Sequence, residues 1–268
     1  MFSLIVFLNL RTSLLAFGAA FIAGAINSVA GGGTLLTFPT LIWLGLPSIN
    51  ANATSTVAIW PGTVGTIWGY RQDLKKSSPR MLALVFPSVV GGILGALLLN
   101  HTPPAVFDAL VPFLILFATL LFMIQEPIQK RLKISSPESH KSTRWLIGAM
   151  LFQLLVALYG GYFGAGIGIL MLAALSVLGL TDIHQMNGLK ALLGAAINGV
   201  AALYFIWARM VYWPEFTVMV IGAILGGYGG ALIARRIGGP AVRRIVILVG
   251  LSMAAAMFVK FFRAYFNS

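Results

Sequence analysis

Apolar runs, rather than alternating apolar and polar positions, organise this chain. They stand at residues 3–26, 34–47, 53–70, 81–99, 105–125, 145–160, 166–180, 189–208, 214–234 and 242–263. A helix that crosses a bilayer core takes about 20 apolar residues, with a range of about 17–25. Most of the runs meet that length. Two of them, 34–47 and 166–180, are short for a full span, and each follows a glycine-rich break. The pattern predicts an all-α, polytopic membrane protein with about 8–10 transmembrane or half-membrane helices.

Composition agrees. Only 9% of the residues are charged, 59% are hydrophobic and the mean hydropathy is +0.94. A soluble domain carries about 25% charged residues, so the solvent for most of this surface is a lipid bilayer. There is no cysteine, which excludes disulfides, thiolate metal sites and cysteine nucleophiles. The histidines, His101, His140 and His184, lie far apart, and no metal or other cofactor is expected.

A net charge of +12 would suggest nucleic acid if it were spread over a soluble surface. Here thirteen of the eighteen Lys and Arg residues fall in three short loops. The first holds Arg71, Lys75, Lys76 and Arg80. The second holds Lys130, Arg131, Lys133, Lys141 and Arg144. The third holds Arg235, Arg236, Arg243 and Arg244. Basic loops of this kind mark the cytoplasmic side of a membrane protein, so no nucleic-acid partner is expected. The turn at Asn100–Pro104 has no Lys or Arg and belongs outside. Counting spans from these anchors puts both termini outside, although Arg11, Lys260 and Arg263 run against that placement. The polar stretch 126–143, with Pro127 and Pro137, reads as a cytoplasmic linker. It separates a first transmembrane repeat, 1–125, from a second, 144–268.

The two halves resemble each other. Leu44-Gly45-Leu46 recurs as Leu178-Gly179-Leu180, at an offset of 134. Asn52 recurs as Asn187 at an offset of 135, as do Gly91-Gly92 and Gly95-Ala96-Leu97 in Gly226-Gly227 and Gly230-Ala231-Leu232. Each half holds five apolar runs. An odd number makes the second half enter the membrane upside down. Inverted repeats with interrupted helices at matching positions are a mark of secondary transporters, and the interruptions point to the binding site.

Candidate chemistry gathers at those interruptions. Asn27-Ser28-Val29-Ala30-Gly31-Gly32-Gly33-Thr34 cannot favour a continuous helix, because each glycine costs about 1 kcal/mol against alanine. Broken backbone at membrane depth must be buried in protein or line a wet cavity. A helix starting at Thr34 would aim free N–H groups at that cavity and suit an anion; close helix packing would explain the glycines equally simply. The counterpart run, Gly160 to Gly168, carries Gly164 and Gly166 but fewer polar side chains. Asn52, Thr54 and Ser55 open one segment, and Asn187 and Lys190 open its counterpart. Helix capping and ligand contact both account for such residues. Lys190 lies before an apolar run, away from the basic loops. A charge inside a span marks a pathway or a pair, whereas one near its end snorkels to the interface. Asn198 lies further along the same helix. None of the acids (Asp73, Asp108, Glu126, Glu138, Asp182, Glu215) falls near the centre of a span, and no Walker motif is present. Nor is there any constellation for an intramembrane enzyme.

Taken together these motifs resemble the TauE/SafE family of membrane permeases, the sulfite exporters. The resemblance covers nearly the whole chain. It rests on Gly24-Ala25-Ile26-Asn27-Ser28-Val29-Ala30-Gly31-Gly32-Gly33, on Asn52 to Ala58, Pro61-Gly62 and Gly69-Tyr70-Arg71, and on Gly160 to Gly166, Met186 to Lys190, Ile197-Asn198-Gly199 and Gly226-Gly227-Tyr228. It implies transport of small anions, typically sulfite, sulfonates or related sulfur-containing organic acids, across a bacterial inner membrane. The substrate site is then expected at Asn27, Gly31, Gly32, Gly33, Thr34, Asn52, Thr54, Ser55, Gly164, Gly166, Asn187, Lys190 and Asn198. Alternating access between the two halves is the expected mechanism. A passive anion channel or a scaffolding subunit stands as the alternative, and a homodimer is compatible with the sequence.

Overall fold

Each apolar run carries a helix in the computed structural model, which describes residues 10–29, 32–131, 143–177, 180, 182–237 and 247–259. The helices are α1 (Leu10–Val29), α2 (Thr34–Trp43), α3 (Ser48–Gly69), α4 (Arg71–Leu74), α5 (Pro79–Leu82), α6 (Val85–His101), α7 (Pro104–Arg131), α8 (Thr143–Tyr162), α9 (Ile167–Val177), α10 (Ile183–Trp207), α11 (Trp213–Ile237) and α12 (Ile247–Val259). There is no strand among the described residues. Helix α7 runs on past residue 125 to Arg131, and residues 132–142 of the expected linker lie outside the described residues.

Four apolar stretches are long enough to cross a membrane: Leu10–Asn27, Pro79–His101, Pro104–Leu121 and His184–Trp207. Helix α3 has 22 residues but opens with Asn50, Asn52, Thr54, Ser55 and Thr56, which lower its hydropathy. The outward faces are apolar: Leu14, Phe86, Leu155, Leu203 and Ile221 all stand more than half exposed or close to it. Such continuous exposed apolar surface requires lipid or a partner against it. The two short runs become the shortest of the apolar helices that contact the centre. At 10 residues and 1.5 Å per residue, α2 is about 15 Å long, half of a bilayer core of about 30 Å. Helix α9 has 11 residues.

Packing follows the small residues. Helices α1 and α11 lie together along their length, and so do α6 and α8. Glycines make both contacts. A Cβ on Gly91 would fall 2.6 Å from the Ala157 methyl and 2.6 Å from the Leu154 carbonyl oxygen. Gly24 is pressed against Ala223 and Gly227, and Gly161 against Gly92. Without a hydrophobic drive between helices in lipid, close backbone approach of this kind is what holds them. Helices α3 and α10 cross the centre. They run antiparallel: the start of α3 meets the turn after α10, through Asn50 and Met210, while Gly188 near the start of α10 meets Tyr70 and Leu74 after α3. The half-length helices α2 and α9 pack beside them. On the far side α12 seats Phe258 edge-on against Phe113 of α7, with ring centroids 5.0 Å apart.

Two helices begin earlier than the apolar runs predict. Helix α3 starts at Ser48, after Pro47, and α10 starts at Ile183. Asp182 caps α10, accepting from the N–H of His184 (2.8 Å) and of Gln185 (3.4 Å). Asn52 and Asn187 therefore stand inside their helices, and the helix-capping account of both is corrected. The N–H of His184 is the main cause that holds the Asp182 carboxyl below its ordinary 3.8, with His184 and Lys76 adding attraction. A carboxyl lowered by folding stabilises above its unfolded value and loses that contribution as pH falls through the lowered one. Asp182→Ala should therefore lower the melting temperature at neutral pH and converge with the native chain in acid below that value. A thermal melt at several pH values checks this.

Candidate functional site

The two chain breaks and the two central helices line an open cavity of about 90 Å³. Helix α1 contributes Gly24 and Asn27, and the first break contributes Gly32 and Thr34. The middle of α3 contributes Thr56, Ile59, Gly62, Thr63 and Thr66. From the second break and α9 come Gly164, Ile167, Gly168 and Met171. The middle of α10 adds Lys190, Ala191, Gly194 and Asn198, and α11 adds Ala223 and Gly227.

The breaks are built by glycine. Gly32 has φ +109°, and Gly164 and Gly166 have φ of +77° and +78°, a region that glycine occupies without steric cost. Tyr159 steadies the second break by donating from its hydroxyl to the Ala165 carbonyl at 2.7 Å. In the first break the Gly33 N–H donates to Asn27 Oδ1 at 2.9 Å. That bond fixes the amide of Asn27 and leaves its Nδ2 hydrogens for the cavity. The N-terminal turns of α2, at Thr34, and of α9, at Ile167 and Gly168, both open onto the same space. First-turn N–H groups lack partners within their own helix, and the positive end of the macrodipole favours an anion there.

Lys190 is the one charged side chain in the lining among the described residues. It stands on the second turn of α10 and is 8% exposed. Among the described residues no carboxylate forms an ion pair with it. The cap Asp182 is exposed and eight residues away. The threonines of α3 are less available as donors. The Thr56 hydroxyl donates to the Asn52 carbonyl at 2.9 Å and that of Thr63 to the Trp60 carbonyl at 2.6 Å. Donors therefore come from Lys190, the amides of Asn27 and Asn198, the Thr34 hydroxyl and backbone N–H groups. Ile59, Ile167 and Met171 add apolar side chains to the lining.

Of the residues the sequence singles out, Asn27, Gly32, Thr34, Gly164, Lys190 and Asn198 meet at this cavity. Six others lie outside its lining. Gly33 packs against Ala23. Asn52 donates to the Tyr162 carbonyl at 2.8 Å, Thr54 accepts from the Tyr212 N–H at 3.0 Å, and the Ser55 hydroxyl lies 2.6 Å from that of Thr37. Gly166 packs against Ala118. Asn187 lies three residues before Lys190. Gly31 is outside the described residues. Sequence reasoning overlooked Thr56, Thr63 and Thr66. The repeat offset carried a signal for one of them, since Thr63 stands 135 residues before Asn198.

A bundle of membrane-crossing and half-length helices around one polar, positively charged cavity defines a membrane transporter. The family model for the sulfite exporter TauE/SafE matches residues 16–257, and the chain belongs to that family. The chain is 28% identical over 242 residues to the probable membrane transporter protein YfcA of Escherichia coli (strain K12), covering 90% of this chain and 87% of that one. It is 26% identical over 248 residues to the probable membrane transporter protein ORF9 of Sinorhizobium sp, with 92% and 93% covered. A probable membrane transporter protein of Haemophilus influenzae is 27% identical over 245 residues, with 90% and 92% covered. No solved structure matches the chain.

Proposed function

We propose that the chain is a secondary transporter of small anions, most suited to sulfite, sulfonates or related sulfur-containing organic anions, in a bacterial inner membrane. The observation that carries this reading is Lys190: a buried ammonium with no counter-ion among the described residues, beside a cavity lined by amides and helix N-termini. A buried charge is costly unless paired, and a bound anion supplies the pair. The apolar side chains of Ile59, Ile167 and Met171 suit a short organic body behind a charged head. The interior of a cell is negative, so each anionic charge that leaves gains about 2.3 kcal/mol per 100 mV, and export needs no coupling ion.

Alternating access between inverted halves is the mechanism this reading favours. Exchanging α1 with α8, α3 with α10 and α6 with α11 maps the observed contacts onto one another: α1 with α11 becomes α8 with α6, and α3 with α11 becomes α10 with α6. The antiparallel run of α3 and α10 fits the same exchange.

Ligands that bind the folded state raise its stability by mass action. The purified protein is therefore melted with sulfite, sulfate, thiosulfate, sulfoacetate, taurine and simple carboxylates. A rise in melting temperature with a sulfur oxyanion or sulfonate is expected, and a rise with none of these anions in well-folded protein would remove the main support for the reading. Saturable flux, stimulated by substrate on the opposite side, separates a carrier from a passive channel.

A further inference from the structure

Contacts at both ends of the cavity tie α3 to α10 at corresponding places, though not through the same pairs of positions. At one end Asn50, in the first turn of α3, donates from Nδ2 to the Met210 carbonyl at 2.8 Å. Beside it the Tyr212 N–H donates to Thr54 Oγ1 at 3.0 Å. Both partners belong to the turn that follows α10. At the other end, next to the basic loop, Gln185 in the first turn of α10 donates from Nε2 to Ser77 Oγ at 3.3 Å. Beside it Gly188 lies against Tyr70 and Leu74, so closely that a Cβ would fall 3.1 Å from Leu74 Cγ. These partners belong to the segment that follows α3.

Positions 50 and 185 are 135 residues apart, and so are 77 and 212. That is the offset at which Asn52 recurs as Asn187 and Gly91 as Gly226. At each end a side-chain amide at the start of one long helix reaches the turn that ends the other. Each tie lies one to two turns from cavity residues of the same helix, Thr56 on α3 and Lys190 on α10.

We propose that these contacts are two latches, one at each end of the cavity, and that a transport cycle opens one while the other stays shut. The proposal rests on the carrier reading above. A latch of one or two neutral hydrogen bonds is weak enough to open thermally and gives direction to closure. The two are unequal. The Asn50–Met210 end has two shorter bonds to or from backbone, and the Gln185–Ser77 end has one longer bond between side chains. The Gln185 end therefore opens more readily in the absence of substrate. Gly188 has a part in this, because a larger residue there would hold Tyr70 and Leu74 away from α10.

The chain has no native cysteine, so introduced thiols report cleanly. In the full-length protein in proteoliposomes, Thr63→Cys places one thiol in the cavity, to be labelled by a membrane-impermeant maleimide from one side at a time. Adding Gln185→Ala is expected to speed labelling from the basic-loop side about tenfold, and adding Asn50→Ala to do so from the opposite side. In the second arm, Ser77→Cys/Gln185→Cys and Asn50→Cys/Met210→Cys are each bridged by a bifunctional methanethiosulfonate. Either bridge is expected to cut anion flux more than tenfold, with recovery on reduction. Unchanged labelling in both alanine variants, or full flux through a completely bridged pair, would overturn the latches. Labelling needs no substrate, so it still decides the matter if the native chain moves none of the tested anions, an outcome that instead sinks the carrier reading.

Discussion

Lys190→Ala is expected to remove most anion binding and flux while leaving the protein folded. Among the described residues the ammonium is the only charged group in the cavity lining and has no carboxylate partner. Truncating one member of a buried charge pair costs about 2–5 kcal/mol, which corresponds to a loss in affinity of roughly 30-fold to several thousand-fold. Stability should move the other way. In the empty protein the charge is buried without a partner, a burden that a neutral side chain of similar size relieves. Lys190→Met should therefore melt at or above the temperature of the native chain, yet bind no anion. The checks are radiolabelled uptake into proteoliposomes and a melt in detergent. Native flux in Lys190→Ala would end the role assigned to this residue. A lowered melting temperature in Lys190→Met would mean that the ammonium is held by protein groups rather than kept for a ligand.

Gly91→Val is expected to lower stability strongly. The first atom added to Gly91 already meets the Ala157 methyl and the Leu154 oxygen at 2.6 Å, and the Leu158 nitrogen at 2.9 Å. Two of these are backbone atoms of α8, which cannot turn aside as a side-chain tip can. Overpacking a well-filled interior costs about 1–3 kcal/mol and more where backbone must shift. Helices α6 and α8 would separate, taking with them the buried bond from Gln153 Nε2 to Ser88 Oγ (2.8 Å). Purification yield and melting temperature should both fall sharply. Gly148, on the same α8, has nothing within 4 Å of an added Cβ. Gly148→Ala is expected to be neutral or to stabilise by up to about 1 kcal/mol, the ordinary helix gain over glycine. Equal effects of the two substitutions would show that helix propensity, not close approach, explains the glycines of this bundle.

The helices were legible because lipid imposes them. A bilayer leaves no water for an unpaired backbone, so long apolar runs must be helical, and each run carries one. The start of α3 was less legible. Asn50 and Asn52 look like residues outside a helix, yet they lie within it because Met210 and Tyr162 supply carbonyl partners from distant parts of the chain. The same long-range bonds explain the division of the candidate site. Asn52 (through its Nδ2), Thr54 and Ser55 are polar and central but bonded to other elements, whereas Asn27, Lys190 and Asn198 reach the cavity. Polarity at membrane depth narrows the choice of residues; which of them stay free depends on tertiary partners that a linear pattern does not display. Thr63 could have been found by pairing positions 135 apart, since it stands opposite Asn198 in that register.

That same register sets Ser55 against Lys190. One gives its hydroxyl to Thr37 within the protein, and the other turns its charge to the cavity. A half-length chain that paired with a copy of itself could not make this arrangement. It would bring two lysines or two serines to the same small space, giving either doubled charge with mutual repulsion or none. A single positive charge in the cavity needs the two halves to be written separately. Joining them in one chain lets one half carry the charge and the other carry the frame.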